Sequence, residues 1–585
     1  MLEFIERLKD RYRSVMQGTR DGSVSYEQNL ASLTLAAAAL RKLELSRNHP
    51  DTNPQMAVIG PTQAGKSTVV NLLLGEPLAG VSALAGFTVH PQGFCIASRP
   101  DHYPWLPAFF TGYRRVPLAE LTDAPYRAYA LSETGESPLP PSLLWDTPDF
   151  DSVDASGYRD AVLRTAALAD ALLLVVSKDK YADQRVWETL ELLFPLGRPM
   201  AVCINKVEEE SREAVIHSFR NHLREKGLPL ERFPLCTLPY RKELDDAGRG
   251  MDPQAVESLR NQVKRLLTPA DREEQARHTY RFIRHHWPQW LSPVHAEQAA
   301  EARWREMVEH ALEKALADYR RDYLDHPQNY ETFQQAIAEL LTLLEIPLLA
   351  DSLAKARRLV TWPLRQVVET GKSLFGKTRT ETPKDDNQER RLLNQIAHHT
   401  LIHLAEEALR LGETEAEQET WWKNVARLLR EERSRIEQRF EEEVADYQRR
   451  FRPEIERSAR RLYEQLEQQP AMLNTLRTAR VTTDAAAVVL AVKSGGLSVH
   501  DLVVAPAMLS LTSMLAESTL GHYMDRIAAE LKQRQLETVR ETLLASLGDQ
   551  LTALENRLDP AQRFGISAEE VAAAEQELER LEHGD

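Results

Sequence analysis

The sequence predicts an α/β region, with a mainly parallel sheet and helices on both faces, joined to a large all-helical bundle or stalk. Three observations predict it. Apolar runs at 56–59, 93–97, 142–145, 171–176, 199–204 and 233–237 alternate with helical stretches, the order of repeated β-then-α units. A glycine-bounded loop, Gly60-Pro61-Thr62-Gln63-Ala64-Gly65-Lys66-Ser67-Thr68, stands between the first run and an apolar-periodic segment. From about 253 onward, helical periodicity and dense charge persist almost to the end.

Composition narrows the class. The 585 residues carry 73 basic and 88 acidic side chains, a formal charge of −15, which speaks against a global nucleic-acid binder. Three cysteines, Cys95, Cys203 and Cys236, have no paired spacing, so neither a disulfide framework nor a zinc site is expected and a reducing compartment fits. The first residues are charged and amphipathic, unlike a signal peptide, and no uncharged apolar run reaches the roughly 18–20 residues of a membrane span. The expectation is a cytoplasmic chain, soluble or peripheral at the inner face of a membrane.

In chain order, residues 1–50 read as two helices. Leu2, Ile5, Leu8, Tyr12 and Val15 mark the first, and Leu30, Leu33, Leu35, Leu40 and Leu43 the second, with Asp21-Gly22-Ser23 between. Their apolar faces are expected to pack on the later helices. Residues 51–268 make the α/β domain. Its glycine-bounded loop fits the pattern G-x-x-x-x-G-K-[ST] between strand and helix, which binds phosphate. Gly60 and Gly65 allow a turn tight enough for backbone N–H groups to face phosphate oxygens. Lys66 brings a full charge, the helix N-terminus adds its dipole, and the Ser67 hydroxyl can ligate Mg²⁺.

Three further stretches fall at strand ends or in the loops beside them, where ligands of such sheets bind. Leu143-Leu144-Trp145-Asp146-Thr147-Pro148-Asp149-Phe150 places Asp146 to hold Mg²⁺ through water and the following backbone N–H groups near a terminal phosphate. Val202-Cys203-Ile204-Asn205-Lys206-Val207-Glu208 ends a strand in a polar quartet, where a carboxylate can accept from the N1 and N2 donors of guanine. Gly86-Phe87-Thr88-Val89-His90-Pro91 offers Thr88 to Mg²⁺ and the γ-phosphate. The bland alternatives are an Asp-Thr-Pro turn and a capped loop.

Together these stretches resemble the four nucleotide motifs of the translation-factor-related GTPases, most nearly the Era-like and bacterial dynamin-like branch, over about 55–240. The resemblance implies a GTPase that binds GTP and GDP with Mg²⁺. Gly60, Gln63, Ala64, Gly65, Lys66, Ser67 and Thr68 would form the phosphate loop. Thr88 matches the switch I threonine and Asp146 the switch II aspartate, and both would join Ser67 at the metal. Asn205 and Lys206, with Glu208, match the base-reading motif. Lys66, Thr88 and Asp146 would be the catalytic groups. Cys236-Thr237-Leu238 fills the least specific, fifth position.

The sequence departs from the family at three positions, and from its potassium-using members at a fourth. Asp149 stands where the family has Gly, which brings a carboxylate toward the γ-phosphate unless it is turned away or paired. Glu208 replaces the usual Asp, one methylene longer. Phe150 stands where Ras-type enzymes carry a water-positioning Gln, so slow intrinsic hydrolysis is expected, with help from another residue, a partner or a dimer across the nucleotide face. Gln63 replaces the Asn of potassium-using relatives. Residues 99–141 read as a long insertion in which Arg114 or Arg115 could serve as an arginine finger or as plain surface charge.

The helical region, 269–585, departs from its charged background twice. Segment 353–379 carries Lys355, Arg357, Arg358, Arg365, Lys372, Lys377 and Arg379 against Glu369, with Trp362 and Phe375. It suits an anionic bilayer surface or an acidic neighbouring face. Segment 481–518 is almost wholly apolar around Ser494-Gly495-Gly496 and reads as a helical hairpin, in the bundle core or shallowly inserted in a membrane. The run 415–468 reads as a long bundle helix bent at Pro453. His399 and His403 lie one turn apart without an evident third metal ligand. By resemblance, the layout implies a dynamin-like protein whose helices reorganise with nucleotide, through G-domain dimerisation and at a membrane. The rivals are an Era-like ribosome-assembly GTPase and a nucleotide-binding regulator or scaffold with little turnover.

Overall fold

The computed structural model describes residues 1–18, 24–49, 52–80, 89–123, 127–150, 155–239, 251–269, 271–326, 330–344, 388–470, 473 and 521–583. Thr88 and the segments 353–379 and 481–518 lie outside them. The chain divides into two compact units, Met1–Gln298 with Asp559–Asp585, and Ala299–Leu558.

The first unit is built on an eight-stranded sheet: β1 (Gln55–Ile59), β2 (Gln92–Ile96), β3 (Arg114–Arg115), β4 (Ala128–Glu133), β5 (Ser142–Asp146), β6 (Ala171–Ser177), β7 (Met200–Val207) and β8 (Leu235–Pro239). Their order is β3-β4-β2-β5-β1-β6-β7-β8. Every neighbouring pair is parallel except β2 and β5. The central strands β1, β5 and β6 are buried along their whole length, as a sheet covered on both faces requires.

Its helices are α1 (Leu2–Gly18), α2 (Val24–Arg47), α3 (Lys66–Leu74), α4 (Ala155–Leu168), α5 (Gln184–Leu193), α6 (Arg212–Glu225) and α7 (Pro253–Leu266). Alternate strand residues face opposite layers. Ala57, Ile59, Leu172, Leu174, Val202 and Ile204 join the core that includes α1, α2 and α4 to α6. Met56, Val58, Leu173, Val175, Ala201 and Cys203 join the other, with α3 and α7.

Two sequence expectations need correcting. Residues 99–141 are not simply an insertion, because β3 and β4 lie within them and extend the sheet beyond β2. A two-residue strand, and a six-residue one that alternates small with large side chains rather than polar with apolar, give little apolar periodic signal. The second concerns the ends. The helices of 1–50 pack on residues 272–298 and 559–583 of the later helices, but those residues belong to the first unit and not to a separate region 269–585, so the division falls at 298/299, not at 268/269.

The physical reason lies in α2, which is buried on nearly every side from Ala31 to Leu40 and so needs cover all round. It lies against α1 and α4. Residues up to 298 of α8 (Arg272–Tyr319) close over it: Trp290 Nε1 donates to Ser32 Oγ (2.7 Å), and Tyr12 Oη donates to the Trp290 carbonyl (2.8 Å). Segment 559–583 completes the layer. Arg11 Nε donates to the Phe564 carbonyl (2.7 Å), Arg7 pairs with Glu570, and Gln298 Nε2 donates to the Ile566 carbonyl (2.9 Å).

In the second unit the remainder of α8 joins α9 (Glu331–Leu343), α10 (Gln388–Thr414), α11 (Glu419–Glu467), α12 (Gly521–Thr538) and α13 (Ala545–Thr552). The C-terminal α14 (Ala568–His583) belongs to the first unit. The helix α11 runs 49 residues and continues through Pro453, with Trp422, Val425, Leu429, Ile436, Phe440, Val444, Tyr447 and Phe451 on its buried stripe. Glu389 is buried at the start of α10, where its Oε1 accepts from Tyr319 Oη (2.7 Å), Tyr447 Oη (2.9 Å) and Gln535 Nε2 (2.6 Å). Among the described residues no helix is long and apolar enough to cross a membrane. No group of three His, Cys, Asp or Glu side chains there is placed to hold a metal, so His399 and His403 gain no third such ligand.

Candidate functional site

The carboxyl ends of β1, β5, β6 and β7 bring the predicted residues together. β1 ends at Ile59, and the turn Gly60–Gly65 leads into α3, whose N-terminus is Lys66. Gly60 is glycine because a Cβ there would lie 2.1 Å from the Val175 carbonyl oxygen of β6. Gly65 has φ +91°, and a Cβ would lie 2.3 Å from Asn205 Nδ2. That close approach lets the Asn205 amide donate to the Ala64 carbonyl (3.0 Å).

The end of β7 is thus tied to the glycine-bounded loop. Lys206 Nζ donates to the Gln63 carbonyl (2.8 Å), and the Lys206 N–H donates to Asn205 Oδ1 (2.9 Å). Gln63 and Lys206 both have φ 60°; of the described non-glycine residues only Ala97 shares this region. Two left-handed residues facing each other across one loop are a local strain that the surrounding bonds hold in place.

On the phosphate side, Lys66 is only 5% exposed. Its ammonium donates to the Gly60 carbonyl (3.1 Å), the Pro61 carbonyl (3.3 Å) and the Asp149 carboxylate. β5 pairs with β1 so that Asp146 lies opposite Val58. Ser67 Oγ donates to Asp146 Oδ2 (2.7 Å). Thr147 Oγ1 donates to the Val58 carbonyl (2.8 Å) and fixes the exit of β5. Burial pushes the Asp146 carboxyl up to about 6; the Ser67 hydroxyl and Lys66 oppose this, while Asp149 adds to it.

Asp146 Oδ1 is buried without a hydrogen-bond partner. A desolvated carboxylate oxygen beside a hydroxyl oxygen is the donor chemistry a hard divalent cation takes, so Ser67 and Asp146 fit Mg²⁺. Thr88, the third expected oxygen, lies outside the described residues. Thr68 follows on the first turn of α3.

Glu208 is exposed after β7, and its carboxylate pairs with Lys178 Nζ (2.8 Å), just beyond β6. Sequence reasoning did not single out Lys178; its signal is only the polar run Ser177-Lys178-Asp179-Lys180 after an apolar strand. Phe150 is buried in the larger core, which is why an aromatic stands there. Arg114 and Arg115 lie on edge strand β3, four strand spacings or about 19 Å from β1. An arginine side chain does not cross that distance, so neither reaches this site within the chain in this arrangement.

Strand, glycine-bounded loop, buried lysine, metal-type aspartate and a base-side Asn-Lys pair are now on one sheet edge. Residues 55–206 also match the family model described as 50S ribosome-binding GTPase. Residues 55–206 form a P-loop GTPase domain. The tRNA modification GTPase MnmE of Halorhodospira halophila is 30% identical to this chain over 162 residues, 27% of this chain and 26% of that protein. The chain thus spans about a quarter of that relative's length. The probable GTP-binding protein EngB of Burkholderia ambifaria is 26% identical over 184 residues, 31% of this chain and 69% of that protein. A solved structure from an oligomerised bacterial dynamin pair aligns with 97% of this chain and 95% of its own at 13% identity, with a TM-score of 0.37. That score is too low to equate the two folds. The likenesses in sequence therefore concern the GTPase domain.

Proposed function

We propose that the chain binds guanine nucleotides and hydrolyses GTP, and that its helical unit responds to the nucleotide state. The observation that carries this reading is the convergence of Lys66, Ser67 and Asp146 on one side of the loop with Asn205 and Lys206 braced on the other. Lys66 neutralises charge on the β- and γ-phosphates while water attacks the γ-phosphate in line. Ser67, Thr88 and Asp146 would hold Mg²⁺, which supplies further charge neutralisation when bound. Asn205 and Lys206 fix the loop against which the base stacks, and Glu208 accepts from guanine N1 and N2. With Phe150 in the core, water is oriented by another group, and turnover is slow until a partner or a second G domain contributes.

Multiple-turnover phosphate release tests this directly. Lys66→Ala should lower it by at least about 100-fold. Release that persists in the variant removes the assignment. Nucleotide binding with no release in either protein leaves a regulator or scaffold.

The helical unit follows the dynamin-like reading, in which segment 353–379 meets an anionic membrane surface at the inner face. Co-sedimentation with anionic vesicles, without nucleotide and with GTP, checks it; no sedimentation in any nucleotide state removes the membrane role. The description of the matched family, 50S ribosome-binding GTPase, favours a second reading in ribosome assembly. Salt-sensitive ribosomal RNA binding by the full chain would support that reading instead.

A further inference from the structure

The Lys66 ammonium has three donors, and all three are engaged, by two backbone carbonyls of the phosphate loop and by Asp149. The carbonyls of Gly60 and Pro61 are fixed by the turn. The Asp149 side chain is the only one of the three acceptors that can leave by rotating. Asp149 is 7% exposed and Lys66 5%, so the pair is screened little by solvent. An arriving phosphate oxygen therefore competes with a carboxylate that already supplies one negative charge to the lysine.

The competition is not equal for every phosphate. Asp149 follows Asp146 by three residues, on the segment leaving β5, and on the guanine-nucleotide reading that segment would lie beside the terminal phosphate of a bound triphosphate. A diphosphate brings only its β-phosphate to Lys66 and has no group beside Asp149, so it can share the lysine with the carboxylate in place. A triphosphate brings a second, more highly charged group to the lysine and to the carboxylate, and the carboxylate must leave.

We propose that Asp149 is a specificity-determining residue that stands in for the terminal phosphate, so that the site retains nucleoside diphosphate and admits triphosphate only when Asp149 is displaced. This rests on the guanine-nucleotide reading given above. It makes the Lys66–Asp149 pair a gate on phosphate number, set by a residue that replaces glycine in this chain.

The test is the ratio of affinities. Binding of fluorescent GDP and of a fluorescent non-hydrolysable GTP analogue is measured on the full chain with Mg²⁺ present, for the wild type, Asp149→Gly and Asp149→Asn. The asparagine variant keeps the side-chain shape and guards against misfolding of the glycine variant; circular dichroism reports whether each is folded. The expected result is triphosphate affinity raised at least about 10-fold in both variants, with diphosphate affinity changed less than about threefold, as loss of a nearby like charge from one site predicts. Equal changes for both nucleotides, or none, overturn the proposal and leave the pair as a structural contact. Binding of neither nucleotide by the folded wild type and folded variants would instead overturn the nucleotide reading, and the gate with it.

Discussion

Two residues of the site carry testable chemistry of their own. Asp146 is held near a pKa of about 6 by burial, against 3.8 for a free side chain. In the metal-free folded state it keeps its proton up to that pH, while the unfolded chain releases it near 4. Its contribution to stability is therefore present below about pH 4 and is lost as the pH rises through about 6. A divalent cation needs the carboxylate, so the sign for metal binding is opposite. Mg²⁺-dependent nucleotide affinity should be about fourfold weaker near pH 5.5 than near pH 7.5, the ratio of the ionised fractions. Titrating Mg²⁺ at both values checks this, and a flat profile contradicts it. Gly65 is the second case. Gly65→Ala meets both a left-handed backbone and the Asn205 amide 2.3 Å from the new Cβ. A loss of about 1–3 kcal/mol in stability and of most nucleotide binding is expected from chemical denaturation and fluorescence titration.

The elements show what a sequence can and cannot disclose. The phosphate loop and the strand ends carrying Asp146 and Asn205 were legible because a strand, a turn and a helix have different periods, and because parallel strands deliver their carboxyl ends to one edge. β3 and β4 were not, since Arg114-Arg115 is too short to alternate and Ala128–Glu133 alternates small with large residues rather than apolar with polar. The pairings Lys66–Asp149 and Lys178–Glu208 join residues far apart in the chain and leave no spacing to read. The departure at Asp149 was visible; its counter-ion was not. The same holds for Glu389, an acid in an otherwise ordinary amphipathic helix. It ties α10 to α8, α11 and α12 through Tyr319, Tyr447 and Gln535. Glu389→Ala strands these buried donors, and should cost the second unit about 2–4 kcal/mol in a denaturant titration. An unchanged midpoint would show that the network contributes little.

Across the whole molecule, the chain's first and last helices belong to the same unit. Amphipathic faces announce that they need a partner without naming it, so the sequence pointed to the later helices without showing that residues 272–298 and 559–583 share a unit with residues 1–50. Arg7, Arg11 and Tyr12 meet Glu570, Phe564 and Trp290, and Tyr12 packs edge-on against the Phe564 ring. Removing 559–585 should therefore lower the melting temperature of the GTPase unit, read by nucleotide-protected thermal unfolding. The transition of the other helices should move less. Equal loss in both transitions contradicts that division of the fold.

The margins of the sheet have a further consequence. One margin is β3, two residues long with both arginines exposed, and the other is β8, which ends in Pro239. A short charged edge and a proline, which lacks an N–H, both discourage a foreign strand from adding itself. Crowded copies of this chain are thereby guarded against fusing sheet to sheet into fibres. Replacing Arg114 and Arg115 with valine would remove one guard and convert a soluble margin into an aggregation seed.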